Sequence, residues 1–198
     1  MPATMQQACK ELWEVMSTTF KTKIVNKNDA TEMRTIAWCL DSMGILDQDR
    51  FLKRYTTTVY KWIYVPWEIG EGSDAKCWSQ MRTCVHEHQH VIQWKRDGFL
   101  KFAGGYLIDG DDRAKYEAEA KACGQEMHFW RYGKVEDPER ACANLVDYNM
   151  NKDEIAFAAR VLDSYQRTIK RGGTITKAGK VALDFLSRNH SHLSLRKG

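Results

Sequence analysis

Residues 86–90 read His-Glu-His-Gln-His, with the outer histidines four positions apart. On a helix that spacing sets them one turn apart on one face. His86 and His90 could then offer two imidazoles to a single metal ion. Glu87 begins the same turn and can reach a water held at such an ion. The implied chemistry is polarisation by a Lewis acid with proton transfer to a carboxylate. So short a pattern also arises by chance, so its surroundings must support it.

The surroundings predict a helix. Asp74 is a candidate N-cap, nothing interrupts Ala75–Asp97, and Gly98 is a candidate C-terminal stop. Met81, Val85, His88 and Ile92 form a stripe at helical spacing. It lies about 100° around the helix from His86 and His90. One face can therefore pack while its neighbour faces a cleft. His88 points away from the pair and reads as a packed or hydrogen-bonded residue. Cys84 also points away and is not counted as a ligand. Further on, Arg113-Ala-Lys-Tyr-Glu117-Ala-Glu119-Ala120 supplies a candidate third ligand. Glu117 and Glu119 are about 200° apart on a helix, so only one can face the metal. Two imidazoles and one carboxylate suit zinc with its fourth position left to water, although open sites of that composition also accept iron.

This combination resembles the gluzincin type of zinc metallopeptidase in its small minimal form, over roughly residues 56–130. The resemblance implies zinc as cofactor, Glu117 as third ligand with Glu119-Ala120 completing the pattern, and Glu87 as general base. It also implies a peptide or protein substrate and a zincin-like fold. Many such proteins carry Asp or Asn after that alanine, where this chain has Lys121. Compact proteins with a similar R-x-x-x-E-x-E-A segment occur among phage and bacterial proteins. The mechanism also needs an oxyanion donor, for which Tyr106, Tyr116, Arg113 and His128 are candidates. Arg113, one turn before Glu117, is also placed to orient that carboxylate.

At 198 residues the chain has the length of one domain, 1–198, with room for a substantial core. Its 43% hydrophobic and 28% charged content fits a soluble globular protein. No apolar run approaches the roughly 18 residues of a membrane span, so no membrane contact is expected. The N-terminus lacks a signal pattern. Six cysteines, at positions 9, 39, 77, 84, 123 and 142, include no C-x-x-C pair and read as reduced core thiols. A cytoplasmic location follows, that of the host cell or a virion if the gene is a phage's.

Charge is uneven. Residues 165–198 hold eight basic residues and one acidic residue, +7 in a chain of net +4, which leaves −3 elsewhere. The segment is a candidate polyanion contact. Without an interleaved aromatic pattern it reads first as a solvated helix and tail, from residue 172 onward. His190 and His192 are read as part of a mobile tail. Asp109, Asp111 and Asp112 lack the spacing of a calcium loop and read as a solvated turn.

The predicted elements are a helix over 4–20, a second from an Asp29/Glu32 capping box to Met43, and a short helix near 47–54. A single strand is predicted over Thr56–Val65, ended by Pro66 and suited to a sheet edge. Such an edge could pair with an extended peptide, and proline at Ile63 or Val65 would then abolish turnover. Residues 99–108 read as an irregular connection. Helices over Arg113–Phe129, Asp153–Ile169 and Thr176–Leu186 complete a mainly helical α+β fold with a small sheet. Two function classes follow: a zinc metallopeptidase, or a non-catalytic assembly protein on a zincin-like scaffold with a structural metal. Glu87 favours the enzyme, because a structural site needs no base.

Overall fold

A computed structural model of the chain describes residues 3–29, 56–98, 101–102, 104, 109–148 and 150–196. The predicted helices over 29–43 and 47–54 lie outside these residues, apart from Asp29 in a short 3-10 turn. Most of the 99–108 connection, Tyr106 included, and Cys39 also lie outside them.

Helix α1 (Met5–Phe20) starts where the Thr4 side chain accepts the Gln7 N–H. Its apolar positions recur every three or four residues, so Met5, Cys9, Leu12, Met16 and Phe20 bury along one stripe. Strand β1 (Lys23–Asn26) follows directly. The predicted long strand over 56–65 is instead a hairpin of β2 (Thr57–Val59) and β3 (Trp62–Val65), turned at Tyr60 and Lys61. No Gly, Asn or Pro marks this turn, so the run of β-formers hid it. Sheet order is β1-β3-β2, with β1 parallel and β2 antiparallel to β3. Ile63 and Val65 therefore lie on the central strand, not at an edge. Proline there would break the sheet itself and would report nothing about substrate.

Helix α2 (Asp74–Asp97) carries the His-Glu-His-Gln-His run. Its cap is Ser73, which accepts the Lys76 N–H, rather than Asp74. Asp74 sits in the first turn, where a negative charge suits the helix dipole. Helix α3 (Gly110–Tyr132) is capped by Asp109, whose carboxylate accepts the N–H groups of Asp111 and Asp112. The acidic turn is thus a helix start. Helix α4 (Pro138–Cys142) and a 3-10 segment over Ala143–Tyr148 lead to α5 (Lys152–Ile169), where Asn151 and Glu154 form a capping box. Thr176 caps α6 (Lys177–Asn189). Gly179 in its first turn is required: a Cβ there would collide with the Glu126 carboxylate. The result is a mainly helical α+β fold. No described helix is long and apolar enough to cross a membrane.

Two apolar clusters meet on α3. Cys123 and Met127 join α1, α2, α6 and the sheet face of Ile63 and Val65. Ala114, Ala118 and Ala122, one turn apart, let α5 approach closely through Ala158, Ala159 and Leu162. Full burial of side chains such as Leu12, Met81 or Leu162 contributes roughly 1.5–3 kcal/mol each. Cys9, Cys77, Cys84, Cys123 and Cys142 are all buried. The chain end is docked, not mobile through its histidines. His190 is 2% exposed and its Nε2 meets Glu11 Oε2 at 2.7 Å, while the Leu195 N–H reaches Arg131 O at 2.7 Å.

Candidate metal centre

The helical spacing of α2 brings the His86 and His90 rings edge to face, with centroids 4.7 Å apart. Their Nε2 atoms lie 3.1 Å from each other. Helix α3 packs across α2 and presents Glu117 to both: Oε2 is 3.6 Å from His86 Nε2 and Oε1 is 3.5 Å from His90 Nε2. Two imidazole lone pairs this close repel unless a proton or a cation lies between them. For a tetrahedral zinc with bonds of about 2.0–2.1 Å, donor atoms sit roughly 3.3 Å apart. The observed 3.1–3.6 Å brackets that spacing, so the set fits such an ion. Among the described residues this is the only grouping of three or more potential ligands.

Glu119, the alternative acid, turns away. Its carboxylate accepts from Arg96 Nη1 at 2.8 and 3.0 Å, Gln89 Nε2 at 2.9 Å and Gln93 Nε2 at 3.2 Å. Gln93 links this anchor to the centre, because its Oε1 lies 2.8 Å from His90 Nδ1. His88 is fully buried, with Nδ1 donating to Cys84 O at 2.7 Å and Nε2 at 2.9 Å from Thr22 Oγ1. It ties α2 to the end of α1 and binds nothing at the centre.

Electrostatics separates the two imidazoles. Burial, with His90 alongside, pushes His86 down to about 3. Burial acts the same way on His90, but the Glu117 carboxylate outweighs it and raises His90 to about 9. Burial would raise Glu117, yet His90 holds it below the ordinary carboxylate range. Glu87 is 6% exposed, and burial keeps its carboxyl above that range. Its Oε2 accepts from Thr58 Oγ1 at 2.6 Å, so strand β2 orients the carboxylate.

His86, Glu87 and Glu117 line one cleft of about 580 Å³. Its walls include Trp67, Trp78, Arg82, Lys121, Asn144 and Tyr148. Arg82 is fixed by a two-pronged pair with Glu136, at 2.5 and 3.2 Å. Lys121 Nζ donates to Asn144 Oδ1 at 2.7 Å.

Three of the four expected oxyanion donors stand elsewhere. Arg113 Nη2 faces Glu154 at 3.7 Å and does not orient Glu117, because α5 offers it a carboxylate. Tyr116 donates to Asp97 at 3.1 Å and packs on Phe102. His128 lies against Tyr132 and, at 3.9 Å, Glu136. Tyr106 is outside the described residues. Sequence reasoning missed Gln93, Thr58, Asn144 and Tyr148. Gln93 is three residues past His90, a spacing that could have revealed it. Lys121, one turn past Glu117, stood out in sequence only as a departure from the resembled pattern. Thr58 and the 143–148 residues reach the site only through tertiary packing.

Compared with known protein families, curated proteins and solved structures, the chain matches none.

Proposed function

We propose that the protein is a zinc-dependent metallopeptidase. The observation that carries this reading is one cleft lined by His86, Glu117 and the buried base Glu87, with His90 completing the donor set. His86, His90 and Glu117 would hold the ion. Bound zinc would supply a Lewis acid for the scissile carbonyl and lower the pKa of a water towards 7.

The chain's own groups do the rest. Glu87 takes a proton from the attacking water and delivers it to the leaving amine. Thr58 holds that carboxylate in place. Gln93 holds His90. Lys121 offers an ammonium on the same cleft wall and stabilises the developing oxyanion, a role for which its anchor on Asn144 preorganises it. β2 has a strand neighbour on one side only among the described residues, and Thr56 just before it lines the cleft. A substrate peptide would lie along that strand. A purely structural metal site is closed by four protein ligands, whereas two of these three, His86 and Glu117, line a cleft.

The test is hydrolysis of a fluorogenic peptide library by zinc-loaded protein. Glu87→Gln should keep its metal and lose about 10²–10⁴-fold in kcat. Lys121→Met should keep its metal and lose about 10²–10³-fold. Wild-type protein that carries zinc yet cleaves no peptide would leave a non-catalytic assembly role as the better account.

A further inference from the structure

Four segments distant in sequence bring basic residues close to Lys95. The end of α1 and start of β1 bring Lys21 and Lys23. The hairpin turn brings Tyr60, Lys61 and Trp62. The end of α2 and start of α6 bring Lys95 and Lys177, which line one shallow concavity with Phe20 and Ile92. Lys95 Nζ donates to Phe20 O at 2.9 Å. Burial, Lys61, Lys177 and Lys21 all disfavour its charged form. Arg96 borders the same concavity but is engaged by Asp97 and Glu119.

Aromatic rings lie among these cations. Tyr60 is 50% exposed and Trp62 37% exposed. Lys61 Nζ stands 5.2 Å from the Tyr60 ring centre, and Lys23 Nζ stands 4.3 Å from that of Trp62. Lys23 and Trp62 are register partners across β1 and β3, so the sheet fixes their pairing.

The backbone adds a second observation. Among the described residues, two non-glycine residues have positive φ: Lys21 at 55° and Tyr60 at 56°. Both belong to this face. Each occupies a position, a helix end or a hairpin turn, where glycine would avoid the cost of left-handed backbone. The chain thus holds an ammonium and an exposed phenol ring at strained sites on one surface.

We infer that this face binds single-stranded nucleic acid. Lys21, Lys23, Lys61, Lys95 and Lys177 contact phosphates, and Tyr60 and Trp62 stack on unpaired bases. A duplex keeps its base faces stacked internally, so exposed rings favour the single strand. A bilayer interior would exclude charge beside these rings, and an ammonium group stands by each of them. Phosphate contacts and ring stacking do not read base edges, so binding is tolerant of sequence. Lys177 brings the basic C-terminal segment towards the aromatics of the hairpin. The inference stands apart from the peptidase reading and holds with or without it.

The test is fluorescence anisotropy of a labelled oligothymidylate with the full-length protein at several salt concentrations. Log affinity should fall with log salt by roughly 0.7 per phosphate contacted. Lys61→Glu with Lys177→Glu should weaken binding and flatten that slope. Tyr60→Gly, which suits the backbone there, should weaken binding about fivefold or more, as should Trp62→Ala. Thermal unfolding and metal content should stay at wild-type values in both aromatic variants. Unchanged affinity in both aromatic variants would overturn the inference in favour of bare electrostatics. So would binding to phosphatidylserine vesicles without binding to the oligonucleotide, or no binding by the wild type.

Discussion

His90 donates its Nδ1–H to Gln93 Oε1 across 2.8 Å, within one turn of the same helix. The amide's orientation follows from its other end. Gln93 Nε2 faces two acceptors, Tyr116 O at 3.0 Å and Glu119 Oε2 at 3.2 Å, so Oε1 must face the imidazole. An acceptor at Nδ1 leaves the Nε2 lone pair available for a metal. Arg96 and Gln89 in turn fix Glu119. The ligand is held by a chain of polar groups reaching the surface at Arg96.

Gln93→Met keeps side-chain volume and removes the acceptor. Zinc affinity should fall about 10–100-fold, measured by competition with a chromophoric chelator. Unaltered affinity would mean that packing alone orients His90.

Thr58 bears on the base. Its hydroxyl stabilises the ionised form of Glu87, against the upward pull of burial. Thr58→Val removes that hydrogen bond, so the Glu87 pKa should rise further. Ionised Glu87 is the active form, so the acidic limb of the kcat/KM profile should move to higher pH. An unmoved limb would take Thr58 out of the mechanism.

Lys27 gives a pH dependence of stability. It is 5% exposed and its Nζ donates to Thr57 Oγ1 at 2.8 Å. Burial pulls its pKa down to about 7, with Glu87 acting the opposite way. Between that value and the ordinary 10.5, the unfolded chain binds the proton and the folded chain does not. Stability therefore rises with pH across that window, by at most about 1.4 kcal/mol per pH unit. The melting temperature of wild type should climb from neutral to mildly alkaline pH more steeply than that of Lys27→Met. Parallel slopes would contradict the burial of the Lys27 amine at this position.

The parts legible in the sequence are those that local spacing controls. The run of α2 from Ala75 to Asp97, its buried stripe of Met81, Val85 and His88, and the capping of α6 by Thr176 all follow from helical periodicity and cap chemistry, while the cap of α2 proved to be Ser73. His86, His90 and Glu117 converge because each sits one helical step from a neighbour that packs. The hairpin at Tyr60 was hidden because the turn carries an aromatic and a lysine where glycine or asparagine would have marked it. Thr58, Lys27 and Asn144 were hidden because their distance to Glu87 or Lys121 along the chain says nothing of their distance in space. Arg113 was misread for a related reason. Its i,i+4 spacing to Glu117 allowed a contact, but a carboxylate on α5 became its partner.

The central claim is that His86, His90 and Glu117 hold one zinc ion. Its most direct test is metal content by mass spectrometry on purified wild type, His90→Ala, Glu117→Ala and Glu87→Gln. The account predicts about one zinc per chain in wild type and in Glu87→Gln, and its loss in the other two, as a three-ligand site with a separate base requires. Sub-stoichiometric metal that is indifferent to His90 and Glu117 would contradict it and leave α2 and α3 as scaffold.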